Sequence, residues 1–178
     1  MKHPDMNSGN LARQFVKHGL RVLLAVVVAV GFTSCGGKVF YSSEQVVDEH
    51  CWPMHKVLNY DVEVVDTAQL YNFFVDLRLT EDYPYANTFL FIGTTFPDGS
   101  VAMDTLECPV AAPDGRWLGK RSGRYIDNRY YFHKTLRFPM QGTYRFGIEQ
   151  ALRDSCATGF KAVGFRIEQA DISKLKQQ

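Results

Sequence analysis

The stretch from Val57 to Thr80, VLNYDVEVVDTAQLYNFFVDLRLT, decides the fold. Its first half places apolar residues at even-numbered positions, with Asn59, Asp61 and Glu63 between them. After a break at Asp66, the second half places aromatic and aliphatic residues at odd-numbered positions. Alternation with a period of two and one polar face is typical of a half-buried strand. Because the break between the two runs is short, they are predicted to be antiparallel neighbours.

The rest of the chain continues the pattern of short strands separated by turn signals. Pro97–Ser100 predicts a tight hairpin, because proline presets φ and the Asp-Gly pair accepts a positive φ. The four residues from Gln150 fit either a strand or a helical turn. Seven to eight strands with no long amphipathic helix predict an all-β fold, an antiparallel β-sandwich of the jelly-roll type. The further strands are expected over Thr88–Phe96, Val101–Cys108, Tyr125–Phe138 (one or two strands), Thr143–Ala151 and Ala162–Gln169.

An uncharged apolar run near the N-terminus indicates export. Three basic side chains between residues 13 and 21 precede Val22–Cys35, VLLAVVVAVGFTSC. The apolar part is too short to cross a bilayer core, which needs about 20 residues, so it is predicted to be a signal peptide. Its end resembles a bacterial lipobox, which implies cleavage after Ser34 and lipidation of Cys35. The alternative is an ordinary signal peptide that happens to end near a cysteine.

These features divide the chain into four predicted segments. The chain carries 20 basic and 19 acidic side chains; four basic and one acidic lie before Cys35, which leaves 16 and 18 in the mature part. Nothing in this charge distribution makes the clustered basic surface that a nucleic-acid-binding protein needs, so no nucleic-acid partner is expected. The lipid is the only membrane attachment predicted. The segments are a lipoprotein signal peptide (1–34), the lipidated cysteine and a tether (35–51) in which residues 38–41 could add an edge strand, a sandwich domain (52–170) and a polar tail (171–178).

Three cysteines remain after lipidation, namely Cys51, Cys108 and Cys156. An exported compartment permits disulfides, but an odd number leaves at least one thiol unpaired. We therefore expect one disulfide or none, and the residues leave the pairing open.

No constellation for catalysis or for a cofactor is found. A nucleophilic Ser or Cys needs a base and an orienting acid, and the mature part has only His50, His55 and His133 and no Gly-x-Ser-x-Gly motif. In the word HCWPMH, Cys51 and two histidines lie close together, but a metal site needs three or four converging ligands. We therefore expect no catalytic residues, no metal and no cofactor, and interpret this word as an exposed loop.

Four aromatic residues are candidates for a binding surface: Tyr83, Tyr85, Trp117 and Tyr125. Two of them lie in loops that are expected at one end of the sandwich. Exposed aromatic side chains provide a large contact area at a small entropic cost, which suits a protein or a sugar partner. The alternative is that the tyrosines pack over the end of the sheet and that Trp117 fills the core.

Four words carry a resemblance to a known family: DLRLTEDYPYANTFLFI (76–92), DTLECPVAAPDGRWLGKRSG (104–123), GTYRFGIEQALR (142–153) and VGFRIE (163–168). With the lipobox, they resemble the gliding motility lipoprotein GldH family of Bacteroidota. The resemblance implies a non-enzymatic lipoprotein of the cell envelope that supports the gliding apparatus and the linked protein-secretion system. Relatives also occur in members of the phylum that do not glide.

The expected function is therefore that of a lipid-anchored accessory or scaffold protein that contacts other gliding and secretion proteins of the envelope. Gly36-Gly37-Lys38 lacks the acidic residues of surface-exposed lipoproteins, which favours the periplasmic face of the outer membrane. A lipid-anchored carbohydrate-binding module is the alternative. A coplanar row of exposed aromatic rings would favour sugar, whereas a broad apolar patch with a polar rim would favour protein. A small-molecule ligand is not expected.

Overall fold

The computed structural model describes residues 38–171, and all of its regular elements are β-strands. No helix in this range is long and apolar enough to cross a membrane. The strands are β1 (Val39–Val46), β2 (Trp52–Pro53), β3 (Leu58–Val64), β4 (Tyr71–Thr80), β5 (Asn87–Thr95), β6 (Val101–Pro109), β7 (Lys120–Ser122), β8 (Tyr125–Leu136), β9 (Gly142–Gln150), β10 (Cys156–Ala157) and β11 (Phe160–Gln169).

The strands form two main antiparallel sheets and one short pair. The five-stranded sheet has the order β1-β11-β4-β8-β7, and the four-stranded sheet has the order β3-β9-β5-β6. The short strands β2 and β10 pair with each other. The predicted all-β antiparallel sandwich is therefore confirmed. The segment after Gln150 contains no helical turn.

The predicted pairing of β3 with β4 is wrong. Strand β3 pairs with β9, whereas β4 lies between β11 and β8 in the other sheet. Both strands bury their apolar face, and the connection between them passes from one sheet to the other at the surface. The Tyr60 hydroxyl on β3 donates a hydrogen bond of 2.7 Å to the Val163 carbonyl on β11, which joins the two layers through the core.

The predicted tether contains a full edge strand. Strand β1 runs antiparallel to β11 along residues 162–168, so the sandwich extends N-terminally of Trp52, where the domain was expected to begin. Phe40 and Tyr41 on β1 pack against the core. This burial explains why the segment is ordered as a strand, since an unpaired tether would leave both aromatic side chains in water. Cys35 and the tail beyond Asp171 lie outside the described residues.

The core between the sheets is rich in aromatic side chains. Phe165 on one sheet lies 4.5 Å, centroid to centroid, from Phe146 on the other. Trp52 is fully buried and meets Phe160 edge to face at 5.1 Å. Beside them a disulfide joins Cys51 to Cys156, with a Cα–Cα distance of 5.0 Å. Cys108 is the unpaired cysteine of the described range, and it is buried.

Candidate protein-binding face

The outer face of the four-stranded sheet carries a regular grid of side chains. The antiparallel register places residues of β3, β9, β5 and β6 side by side in rows that cross the sheet. The middle row is Asn59, Gly147, Gly93 and Met103; one flanking row is Val57, Glu149, Phe91 and Thr105, and the other is Asp61, Arg145, Thr95 and Val101.

The centre of the grid is a trough, because two glycines face each other there. Gly93 on β5 pairs directly with Gly147 on β9, so two adjacent strands present bare backbone. The resulting groove has a volume of about 200 Å³. A Cβ at Gly147 would lie 2.8 Å from Cγ1 of Val57, and one at Gly93 would lie 3.4 Å from Cε of Met103. Side chains of neighbouring strands therefore wall the trough.

Four of the side chains that line the trough are apolar and exposed. Phe91 is 39% exposed, Met103 is 63% exposed and Val101 is 66% exposed, and Val57 is also exposed. We call these four residues the apolar patch. The patch contains a single aromatic ring, so it has no row of stacking surfaces for sugar rings. A group of exposed apolar side chains around a groove is a feature of protein-interaction sites.

Charged side chains form a rim on the side of the trough away from β6. The Arg145 guanidinium donates hydrogen bonds of 2.7 and 3.1 Å to the two carboxylate oxygens of Asp61. This bidentate hydrogen bonding lowers the pKa of the Asp61 carboxyl and raises the pKa of Arg145. At the other end of the same strand, Glu149 lies 4.0 Å from His55. An apolar centre with a polar rim is the usual anatomy of a protein interface.

The outer face of the five-stranded sheet has a different chemistry. Its central strands carry cross-strand ion pairs in which Arg78 bonds to Asp127 at 2.7 Å and Arg129 bonds to Asp76 at 2.6 Å. Such partly exposed pairs contribute little to stability. The Tyr131 ring on the same face is 48% exposed and packs against Phe74. The two faces therefore differ: one has ion pairs beside an aromatic ring, and the other has the apolar patch around a trough.

The predicted aromatic candidates lie elsewhere and differ in exposure. Tyr83 is 4% exposed, packs edge to face against Phe160 and donates a 3.1 Å hydrogen bond to the Asn87 carbonyl. Tyr83 therefore has a structural role and offers almost no surface to a partner. Tyr85, whose ring contacts that of Tyr83, is 42% exposed and donates a 2.6 Å hydrogen bond to Asp154.

The other two aromatic candidates are half-buried. Trp117 packs against the core. The Tyr125 hydroxyl donates a 3.2 Å hydrogen bond to Glu49, and the Arg124 guanidinium lies 5.3 Å from the centre of the Tyr125 ring. The structure thus brings Tyr83 and Tyr85 into contact. A binding role for Tyr85, Trp117 and Tyr125 stays a prediction.

The HCWPMH word was predicted to be an exposed loop, and this is wrong in part, because it contains strand β2 and the fully buried Trp52. Cys51 is bonded to Cys156, and His55 adopts a left-handed backbone conformation with φ of 64°. Among residues 38–171, no three metal-ligating side chains come together. The lipidation site at Cys35 lies outside this range, and its modification stays a prediction.

Sequence reasoning missed the trough. Its signal was a glycine inside each of two strand patterns, Gly93 and Gly147. Such a glycine weakens a strand and often marks a place where another backbone or a ligand approaches closely. Recognising the trough also required the register that sets the two glycines opposite each other.

Comparison with known proteins places this architecture in a family. The profile described as GldH lipoprotein matches residues 39–167. The gliding motility lipoprotein GldH homolog of Christiangramia forsetii is 29% identical over 88% of this chain and 99% of its own length. The gliding motility lipoprotein GldH of Flavobacterium johnsoniae is 32% identical over 83% of this chain and 96% of its own length.

Among solved structures, an arabinose-bound α-L-arabinofuranosidase is 14% identical over 66% of this chain and 18% of its own chain, with a TM-score of 0.32. A similarity at this TM-score carries no argument about fold or function.

Proposed function

The chain belongs to the GldH lipoprotein family, and from this membership we propose that it is a lipid-anchored, non-enzymatic component of the gliding motility machinery and the associated protein-secretion machinery. The two relatives carry the words gliding motility and lipoprotein in their names. Cys35, after its apolar signal segment, supplies the acylation site. We place the protein at the periplasmic face of the outer membrane, as the residues after Cys35 suggest.

The apolar patch is the observation that supports a binding role. Its four side chains line one trough in a sheet face, with the Arg145–Asp61 pair at the rim. A lipid-anchored protein gains effective concentration for partners on the same membrane, so a patch of modest size is sufficient. We therefore assign the patch to contact with another protein of the machinery. The single aromatic ring makes it a poor platform for carbohydrate.

Lipidation and partner binding are tested separately. Cys35→Ala should abolish acyl labelling and release the protein into the soluble fraction, and a variant that stays labelled and membrane-bound would contradict the anchor. For the partner, the full-length lipoprotein is captured from cross-linked native cells, with an unrelated tagged lipoprotein as control. Enrichment of gliding or secretion proteins is expected. No enrichment above the control, with retention on immobilised polysaccharide, would support the carbohydrate alternative instead.

A further inference from the structure

Strand β6 is a free edge of the four-stranded sheet. Its nine residues pair with β5 one to one, from Asn87 opposite Pro109 to Thr95 opposite Val101, without a bulge. Within residues 38–171, no strand pairs with the other side of β6. Such an edge offers a row of backbone donors and acceptors to an added strand.

The hydrogen bonds at both ends of the β5–β6 ladder show which residues point outward. The Phe96 amide donates to the Ser100 carbonyl at 2.9 Å, and the Val110 amide donates to the Ala86 carbonyl at 2.8 Å. Hydrogen-bonded pairs alternate along an antiparallel ladder, so the even-numbered residues of β6 bond to β5. The odd-numbered residues direct their amide and carbonyl groups away from the sheet. These outward residues are Val101, Met103, Thr105 and Glu107, and all four are exposed.

The other edges of the described sandwich are capped, irregular or short. On β3, the Gln45 side chain donates to the Asn59 carbonyl, and the Gln141 side chain donates to the Val65 carbonyl just beyond the strand, both at 2.7 Å. Strand β1 has an irregular register between Val39 and Tyr41, and β7 is only three residues long. Beyond the three residues that β7 covers, β8 has register shifts against β4 and a left-handed residue at Thr135. Proteins use such devices to protect sheet edges. Strand β6 is thus the long regular edge of the described sandwich. Within the described residues, its outward groups from Val101 to Glu107 have no strand beside them, and the Pro109 carbonyl at its end accepts a 2.7 Å hydrogen bond from the Tyr130 hydroxyl.

The charge of β6 indicates what kind of strand it accepts. The strand carries Asp104 and Glu107 and no basic residue. A second copy of β6 centred on Asp104 would bring two Asp104 carboxylates opposite each other, which is destabilising. A strand with a basic side chain would instead face opposite charge. Met103 and Val101 continue the apolar patch up to the edge, so apolar side chains on an added strand would find apolar neighbours.

We propose that β6 is a strand-addition site, at which an extended segment of a partner protein, apolar on one face and carrying a basic residue, becomes the fifth strand of the four-stranded sheet. This inference rests on the proposed function, because the segment belongs to the protein that the apolar patch contacts. The outward groups of Val101 to Glu107 bond to its backbone, and a side chain of the partner lies against Met103.

A proline substitution tests the backbone contact specifically. Thr105→Pro removes an amide that points outward, so the ladder with β5 keeps its hydrogen bonds. Proline is tolerated at such positions of edge strands, and Pro109 already occupies one in β6. Thr105→Val keeps the amide and is the matched control. Photo-reactive benzoylphenylalanine replaces Val101 in the full-length lipoprotein, and cross-linked products are collected from intact native cells and identified by mass spectrometry.

We expect a cross-link to a gliding or secretion protein whose yield falls about tenfold with Thr105→Pro and stays unchanged with Thr105→Val. Equal yields in both variants would overturn strand addition while leaving the proposed binding face intact. A cross-linked dimer of this chain in place of a second protein would overturn the proposal that β6 accepts a basic strand of another protein. No cross-link above that of the unmodified chain would contradict the inference and the binding face together.

Thermal unfolding of Thr105→Pro checks that the fold is retained. If this variant unfolds, Met103→Pro replaces it at the neighbouring outward position. In that case, a yield with Met103→Pro equal to that of its matched control, Met103→Val, would overturn the proposal.

Discussion

Gly93 on β5 lies directly opposite Gly147 on β9, and the pair removes side chains from the centre of one sheet face. Two glycines in the middle of strands lower the intrinsic stability of the sheet, because glycine loses more conformational freedom on folding than other residues. Here they create a trough that is lined by the apolar patch. The two glycines thus lower the stability of the sheet at the place where the apolar patch is exposed.

Filling the trough should block binding without unfolding the protein. In Gly93→Val the new Cβ meets the flexible end of Met103 at 3.4 Å, and valine is favoured in strands. We expect partner binding to fall at least about tenfold, with thermal stability equal to or above that of the unmodified protein. Gly147→Ala should instead lower stability by about 1 kcal/mol, since its Cβ would come within 2.8 Å of Val57. If Gly93→Val binds the partner as tightly as the unmodified protein does, the trough is not the binding site.

Charge placed in the apolar patch should also abolish binding. The double variant Val101→Lys/Met103→Lys changes two exposed side chains, so its free energy of unfolding should change by less than about 1 kcal/mol. Val46→Lys, at an exposed position of β1, is the control. Co-purification of the cross-linked partner is measured for both. The interpretation fails if the control variant loses the partner as completely as the double variant does.

The disulfide between Cys51 and Cys156 should make a large contribution to stability. It closes a loop of 105 residues, and removal of a native disulfide typically costs about 2–5 kcal/mol. Cys51→Ser/Cys156→Ser should therefore lower the denaturation midpoint with little change in the spectrum of the folded state. The Cys51→Ser single variant should lose as much stability as the double variant. Denaturant unfolding measures both, and an unchanged midpoint would exclude the bond.

The Cys108 thiol should resist alkylation in the folded protein. Burial, with a smaller contribution from the Glu107 charge, raises the pKa of Cys108 to about 12. The buried, protonated thiol contributes fully to the stability of the fold below the unfolded pKa of about 8.5. This contribution is lost as the pH rises towards 12. At pH 8 iodoacetamide should label Cys108 only after unfolding. Labelling of native protein at the rate of a free peptide thiol would show that this part of the core opens.

Amide hydrogen exchange should alternate along β6 in the isolated protein. The amides of even-numbered residues bond to β5 and should exchange slowly, whereas those of Met103, Thr105 and Glu107 point outward and should exchange quickly. Nuclear magnetic resonance on the uniformly labelled soluble domain resolves individual amides. Uniform protection along the strand would mean that its outer edge is already covered.

The predicted and observed positions of β3 and β4 show what the alternation of apolar and polar residues can and cannot predict. The period of two correctly gave both strands and the buried face of each. It could not assign them to different sheets, because strands on either side of a sandwich core have the same pattern. The sequence pattern did not identify the exposed face of β5 and β6. Both strands have apolar residues on both faces, so the pattern could not show that Phe91, Val101 and Met103 face solvent.

Tyr83 and Tyr85 illustrate the same limit for the candidate site. Both lie in one loop, and the sequence offered no way to tell which is buried. The decision comes from a distant element: the backbone of Gly159 approaches Tyr83 so closely that a Cβ there would lie 2.8 Å from the Tyr83 Cα. Because Gly159 and Tyr83 are far apart in the sequence, their contact forms only in the assembled fold. The local spacing of residues therefore does not reveal it.

Site-specific photo-cross-linking in native cells can show whether the lipid-anchored protein binds a component of the gliding and secretion machinery through the apolar patch. Benzoylphenylalanine is placed at Met103 in the patch and, as the control, at Val46, which is 72% exposed on β1. We predict one dominant adduct from Met103, identified by mass spectrometry as an envelope protein of that machinery, and none from Val46. Equal adducts from both positions, or none from Met103, would show that the apolar patch is not the surface that binds the partner.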